Sequence, residues 1–434
     1  MLALCPPILL RLEDALTVME RTFNAEALET ALETVTRRLA GSVCMHVLAP
    51  ASTDARVMRS ATAIAQAGLA VCIVDVVHDP ARPRAEHREG LHLKHIVMSK
   101  RLVRYYKPVR LVPWLLFKMT RMLLGVFELL RTPADIYHAH EITALPACYI
   151  AARLRRKPLI YDAHELPLVD PHITRWPLLR ALSTHLLRGM MSYCSGIITV
   201  SSPLAHELQR RYGGRAAVVV RNIPEYQEPI VSDRLRRYLG LGADTRIALY
   251  QGYLLADRQL NRLIRAARFV DPGVVIVMMG EGAAQPDLES LIAQEQVGDR
   301  VRIIPPVPHA ELLAWTAAAD VGLIVYGQDH SPNVQMCLPN KLFEYLMAGI
   351  PVLASPLEAV ADIIKAYDVG SVVTSLEPQE LGRALSDMLA DGRSLARMRR
   401  NARTASRRDL RWDIESQRLI RLYQDMPGVR VYGA

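Results

Sequence analysis

Residues 338–355 of this 434-residue chain, LPNKLFEYLMAGIPVLAS, hold its densest chemistry. The Pro339-Asn340 pair predicts a short helix over residues 341–347, and Ala348-Gly349-Ile350-Pro351 predicts its end. Val352-Leu353-Ala354 then reads as a buried parallel strand. A helix start offers unbonded N–H groups and the positive end of its dipole, which suits a diphosphate. Glu344 stands about one turn in, where its carboxylate would accept two hydrogen bonds from a ribose diol, as acidic residues do in dinucleotide folds. By spacing alone, the same Glu equally well complements the helix dipole, with Phe343 and Leu346 as plain core.

Two other stretches run an apolar strand into a polar cluster. Ala134 to Glu141 (ADIYHAHE) ends in His138, His140 and Glu141, and Leu159 to Glu165 (LIYDAHE) ends in Asp162, His164 and Glu165. Residues just past the carboxyl end of a parallel strand are where α/β sheets place ligands. A lone His in such a place more often makes a structural hydrogen bond, and His138, within the strand, reads as structural. The two His with Glu141 raise the question of a metal, but they lack the i, i+4 spacing of a helical pair, so no metal is expected. A third apolar run, Val274 to Met279, ends in Gly280-Glu281-Gly282, where glycines permit close backbone approach.

The run Pro339-Asn340-Lys341-x-Phe343-Glu344-Tyr345, followed by Ala348-Gly349-x-Pro351-Val352, resembles the donor-binding signature of the GT-B retaining glycosyltransferases, family 4 (glycosyl transferases group 1). The similarity spans most of the chain, from about Val43 to Tyr423. It implies an α/β fold of two Rossmann-like domains whose parallel sheets face across a cleft. It implies that Glu344 holds the ribose of a nucleotide-diphosphate sugar, and that Lys341 and the helix start at Asn340 to Leu342 hold the diphosphate. His140 resembles the active-site histidine that faces the donor sugar. Gly252 opens a loop where the family places a basic pair; Tyr253 stands at the first position and Arg258 fits the second. The base would be gripped near Val307, and Gly280 and Gly282 belong to the same donor site. On the acceptor side, Asp54 and Arg56 echo an Asp-x-Arg-Val pattern, and Asp162, His164 and Glu165 resemble an element bordering the cleft. One departure stands out. The family's donor motif has two glutamates separated by seven residues, and the first would fall on Met336, whose thioether cannot accept strong hydrogen bonds from sugar hydroxyls. Asn333, slightly earlier in the loop, would supply some of the polar contacts.

These residues need elements to hold them. A chain of this length divides into two domains of about 180 residues each. The reading is a helical extension over 1–40, with Asn24 as cap and Leu28, Leu32, Val35 and Leu39 on one face, then an acceptor domain over 41–224. A polar, strandless linker follows over 225–244, then a donor domain over 245–405, and a last helix over 406–434 that crosses back. Met45–Ala49 is expected as the first strand, and Ser355-Pro356-x-Glu358 reads as a capping box. The formal charge of +9, mostly from Arg, fits an anionic partner: a phosphorylated substrate, an anionic membrane face or, least of all, nucleic acid, for which no motif is present. Basic residues from Arg101 to Arg121 alternate with aromatics and aliphatics, which suits either a headgroup layer or a core helix with a basic edge. The six cysteines are scattered with no C-x-x-C pair, which points to a reducing compartment. With no signal-peptide pattern and no uncharged spanning run, the expected location is cytoplasmic, peripheral on the inner face of the membrane.

The functional expectation is a metal-independent retaining glycosyltransferase of hexosyltransferase type. It would need no cofactor and would move a sugar from a nucleotide-diphosphate sugar to a cell-surface glycan or lipid-linked acceptor. The rivals are a nucleotide-sugar epimerase on the same fold and a catalytically silent nucleotide- or glycan-binding protein, the latter suggested by Met336 and Tyr253.

Overall fold

A computed structural model of the chain describes residues 38–98, 111–169, 176–327 and 332–432. In chain order the strands are β1 (Arg38–Ala40), β2 (Ser42–His46), β3 (Ala70–Val77), β4 (Ala85–Arg88), β5 (Leu91–Val97), β6 (Ile136–His140), β7 (Leu159–Ala163), β8 (Gly196–Thr199) and β9 (Val218–Val219). Then come β10 (Arg246–Gln251), β11 (Val274–Met279), β12 (Val301–Ile304), β13 (Val321–Ile324), β14 (Val352–Ala354), β15 (Gly370–Val372) and β16 (Arg430–Tyr432). One sheet has the order β4-β5-β3-β2-β6-β7-β8-β9 and a second the order β12-β11-β10-β13-β14-β15. Both are parallel except for the antiparallel β4–β5 edge hairpin. The β6–β7 register sets His140 opposite Asp162 at the carboxyl ends of both strands.

Among the described residues, five α-helices accompany the first sheet: α1 (Ala55–Gln66), α2 (Leu111–Leu130), α3 (Glu141–Arg155), α4 (Pro177–Tyr193) and α5 (Ser202–Tyr212). The second sheet carries α6 (Arg234–Leu239), α7 (Leu260–Ala266), α8 (Gln285–Gln294), α9 (His309–Thr316), α10 (Pro332–Met336), α11 (Asn340–Met347), α12 (Glu358–Tyr367), α13 (Pro378–Ala390) and α14 (Gly392–Arg408). The last helix, α15 (Trp412–Gln424), returns to the first sheet. Strand alternation sorts the first core into two layers. On β6, Tyr137 and Ala139 join Phe117, Leu129, Leu145, Leu187 and Met191 from α2, α3 and α4. Ile136 faces the other way, with Trp412, Leu419 and Tyr423 of α15.

The return of α15 is fastened at several points. The Tyr423 hydroxyl lies 2.6 Å from Nδ1 of buried His138, and Glu415 accepts from the Arg221 guanidinium and, at 2.8 Å, from its backbone N–H. The Trp412 N–H donates to the Pro224 carbonyl at 3.1 Å, and β16 pairs antiparallel with β1.

Helices α2, α3 and α4 cover one face of the first sheet. α2 turns Phe117, Arg121, Gly125 and Leu129 inward, while Leu116, Met119, Leu123 and Phe127 stay exposed in a stripe along its outer side. α4 does the same with Leu178, Leu182 and Leu186 outward, and Leu187 and Met191 inward. The reading of 111–130 as a core helix is thus half of the outcome. Among the described residues no helix is long and apolar enough to cross a membrane.

Several expectations need correction. Leu39 does not stand on a helix face: residues 38–40 form β1, and Gly41 (φ 148°) leads the chain into β2. Residues 1–37 lie outside the described residues, as do 99–110 of the basic stretch and 328–331 of the loop before α10. The first strand is 42–46 and not 45–49, and the β4–β5 hairpin was unexpected. The segment 225–244 contains α6, whose Leu235 is buried with Ile223 in the second core, so it is not a bare linker. Ser355 caps no helix; its hydroxyl accepts from the Tyr326 N–H at 2.7 Å, and α12 starts after Leu357.

Candidate active site

The donor-side residues are held by α11, and α11 is held by Tyr345. Its ring lies where a side chain on Gly322 would collide, and its hydroxyl reaches through β13 and β10. That hydroxyl donates to the Leu249 carbonyl at 3.0 Å and accepts from the Gln251 N–H at 3.1 Å. With this helix fixed, Glu344, one residue earlier, turns toward the carboxyl end of the sheet. Its Oε2 accepts from the Gln251 side-chain amide at 2.5 Å, and the Gln251 amide oxygen accepts from the buried Thr316 hydroxyl at 2.8 Å. Burial raises the Glu344 carboxyl above its ordinary range; the Gln251 hydrogen bond and the nearby His309 and Lys341 oppose that rise.

Lys341 is buried, with its ammonium 3.7 Å from the centre of the Tyr250 ring and 5.6 Å from that of Tyr326. A side chain on Gly252 would come within 3.4 Å of that ammonium, so the glycine keeps the space above Lys341 clear. The Arg258 guanidinium stacks on the other side of the group, 4.9 Å from the Tyr326 ring centre. Burial, reinforced by Arg258, pulls Lys341 down to about 7, with Glu344 opposing. The structure therefore brings together Gly252, Arg258, Lys341 and Glu344, while Tyr253 points out, 70% exposed. Asn340 opens α11 with its amide oxygen accepting from Asn222 at 3.0 Å, and the Leu342 N–H is already bonded to the Pro339 carbonyl at 2.9 Å. Gly280 and Gly282 have a different role from the expected approach to a ligand. Side chains there would strike the Gly252 and Leu254 carbonyls, so these glycines let two adjacent loops lie against each other. Val307 lies just before α9, partly buried against the second core.

On the first-domain side, Arg56 and Asp162 form a buried bidentate pair at 2.6 and 2.9 Å, and Arg56 also donates to the Val220 carbonyl at 2.7 Å. Asp54 caps α1 by accepting from the Arg56 and Val57 N–H groups. Arg56 is thus engaged inside the first domain, and the Asp54 side chain in the cap of α1. Burial works against the Asp162 carboxylate, but Arg56 and His164 outweigh it and hold the carboxyl well below the usual range. His164 lies between Asp162 at 3.2 Å and Glu141 at 3.0 Å; burial disfavours its charge, yet the two carboxylates push it up to about 9. Glu141 itself has φ 70°, a strained conformation for a non-glycine residue at the strand-to-helix turn. His140 is fully buried beside them, its Nδ1 3.3 Å from Asp162 but neither ring nitrogen in a hydrogen bond. Burial lowers its basicity, with Asp162 opposing.

Asn333 joins the two domains instead of standing free on the donor side. Its amide oxygen accepts from the Leu166 N–H at 2.6 Å and its NH₂ donates to Glu165 at 3.1 Å. Met336, three residues on, is buried in the first domain's core, and its carbonyl accepts from the Ser201 hydroxyl. The thioether at the motif's first position is thus a packing residue at the seam. His138, His140 and Asp162 bring ligand-type atoms within 4.8 Å of one another. Both Asp162 oxygens already receive hydrogen bonds from Arg56, and that cation would repel a metal ion. Gln251 and Thr316, the pair that aims Glu344, were missed. Nothing local marks them, because their partners lie 93 and 65 residues away.

Residues 231–405 match the family model of glycosyl transferases group 1, and residues 55–223 that of glycosyltransferase family 4. A D-inositol 3-phosphate glycosyltransferase of Xylanimonas cellulosilytica is 26% identical over 308 residues, 67% of this chain and 71% of that one. A 2-deoxystreptamine glucosyltransferase of Streptomyces kanamyceticus is 26% identical over 281 residues, 60% and 70% of the two chains. Among solved structures, sucrose-phosphate synthase of Thermosynechococcus elongatus superposes with a TM-score of 0.66 at 18% identity, covering 88% of this chain and 98% of that one. The HepE protein of Anabaena, in complex with UDP and glucose, gives 0.66 at 15% identity, covering 89% and 100%. The chain belongs to the glycosyl transferases group 1 of glycosyltransferase family 4 and is a glycosyltransferase of the GT-B fold.

Proposed function

We propose that this enzyme is a retaining, metal-independent glycosyltransferase that takes a sugar from a nucleotide-diphosphate sugar. It would deliver that sugar to a growing cell-surface glycan or its lipid-linked precursor, at the cytoplasmic face of the membrane. The observation that carries the reading is the convergence of Lys341, Arg258 and the start of α11 beside the Gln251-anchored Glu344. Glu344 accepts from the ribose diol. With the Leu342 N–H bonded to the Pro339 carbonyl, the Asn340 and Lys341 amides at the start of α11, together with the two cations, take the diphosphate and its growing charge, the role a divalent ion would otherwise fill. His140 serves the anomeric region from the other domain, its Nδ1 beside Asp162 and its Nε2 without a hydrogen-bond partner. The acceptor hydroxyl attacks from the side the diphosphate leaves, and the diphosphate takes its proton. Complexes of the Anabaena neighbour with UDP and glucose support a nucleotide-sugar donor.

Titrating the purified protein with a panel of nucleotide sugars by calorimetry tests the reading. At least one donor is expected to bind, with Glu344→Ala weakening it by about 2 kcal/mol, the loss of a charged hydrogen-bond partner. No binding to any donor, with Glu344→Ala equal to wild type, overturns it. Product formed from donor alone, without acceptor, would instead reveal an epimerase.

A further inference from the structure

The outer surface of the α2–α3–α4 layer has no function in the chemistry above, yet its pattern is orderly. The inward residues of all three helices join one core on one face of the sheet, so their outward residues all look away from it. There, two apolar stripes run at helical spacing: Leu116, Met119, Leu123 and Phe127 on α2, and Leu178, Leu182 and Leu186 on α4. Leu178 is 88% exposed and the other two leucines of α4 are more than half exposed. Scattered single apolar residues need no explanation, but two apolar stripes on the outer side of one helical layer, with α3 between them, do.

Charge selects the occupant. α4 contains no acidic residue and carries Arg180, His185 and Arg188; α2 has Glu128 against Lys118, its Arg121 being turned inward to the Leu48 carbonyl; the end of α3 and the residue after it carry the exposed Arg153, Arg155 and Arg156. Beside the α4 leucines, an open hollow of about 440 Å³ is lined by Arg180, Thr184, His185 and Arg188. The exposed Phe127 carries the Arg131 guanidinium 5.2 Å above its ring, a pairing of cation and apolar body suited to a headgroup layer. A second copy docking on the same face would set cations against cations, whereas an anionic lipid surface meets both the leucines and the charges.

We infer that the α2–α4 layer is a membrane-docking surface for anionic lipid, with the leucines of α4 as its main anchor; the inference rests on the membrane reading proposed above and names its contact. α4 runs back from the carboxyl ends of the strands, so its first turn, with Trp176 and Leu178, lies at the level of the cleft. Docking by this edge presents the acceptor side to the lipid plane.

The test is flotation of the full chain with vesicles of phosphatidylcholine alone and of phosphatidylcholine with roughly one third phosphatidylglycerol. Wild type is expected to float with the anionic vesicles at low salt and to lose most of that binding at high salt. The triple variant Leu178→Glu, Leu182→Glu, Leu186→Glu is expected to bind at least about tenfold more weakly, at unchanged circular dichroism and nucleotide-sugar affinity. Arg180→Glu alone should lower binding and flatten its salt dependence. No flotation of wild type, equal flotation on both vesicle types, or a triple variant that floats like wild type would each overturn the inference. So would light scattering showing a wild-type dimer that the triple variant dissolves. Nucleotide-sugar binding measured on the same preparations separates failure of this surface from failure of the functional reading.

Discussion

Lys341 makes the donor site sensitive to pH in a direction that can be worked out in advance. Its ammonium is held at about 7 by burial and by Arg258, against an ordinary lysine near 10.5. A diphosphate placed against it would restore much of that difference, so binding takes up a proton wherever the free enzyme has lost one. About one tenth of the free protein carries the charge at pH 8 and about one hundredth at pH 9. Affinity should therefore fall by up to about tenfold per pH unit above 7, or about 1.4 kcal/mol for each. UDP-glucose is a suitable probe because its diphosphate does not titrate in this range. Calorimetry between pH 6 and 9, in buffers of different ionisation enthalpy, should show proton uptake approaching one per site, and Lys341→Met should remove the slope while weakening binding below pH 7. Stability of the unliganded protein runs the opposite way. The folded pKa is depressed, so between about 7 and 10.5 the unfolded chain holds more protons, and this group's contribution rises with pH, by on the order of 5 kcal/mol at most. Wild-type affinity that stays within about twofold from pH 6 to 9, without proton uptake, would refute the placement of Lys341 against the diphosphate.

Three further outcomes follow from the same geometry. Arg56→Ala removes the bidentate partner of the buried Asp162 carboxylate, leaving it His164, and should cost about 3 kcal/mol in urea unfolding. Because the folded Asp162 pKa is depressed, wild type holds this contribution above the unfolded value near 4 and loses it as pH falls further, so the variant's acid limb should be shallower. Met336→Glu restores the family's usual residue but puts a charge into the first domain's core; thermal unfolding should drop by several degrees with no gain in donor affinity, and a tighter donor complex at unchanged stability would contradict the packing role. Tyr423→Phe removes the bond to His138 and should cost about 1 kcal/mol, read as a lower denaturant midpoint at unchanged slope.

What could be read from the chain alone was whatever its local pattern encodes. α11 and β14 appear at almost the expected bounds because proline, glycine and a short apolar run punctuate them. β11 matches residue for residue, being an unbroken apolar run of the kind that parallel sheets bury. The β4–β5 hairpin escaped notice because AEHR and LHLKHIV mix charge and histidine, as an edge can. The misread Ser355 has the right spacing for a cap, yet a tertiary partner, the Tyr326 N–H, claims its hydroxyl. Arg56 and Asp54 were expected near an acceptor, and only the fold reveals that Arg56 answers to a carboxylate 106 residues away. Long-range pairing of this kind leaves no periodic trace.

The chain crosses between the domains twice, near residues 221–224 and 409–412, and the two crossings are tied to each other by Trp412 with Pro224 and by Arg221 with Glu415. Two tethers bonded side by side act like a door on a pair of pins. Rotation about the line through them requires only backbone torsion at a few residues, while any sideways swing would stretch one tether or break a buried ion pair. Any opening and shutting of the two domains would thereby be channelled into a single rocking coordinate.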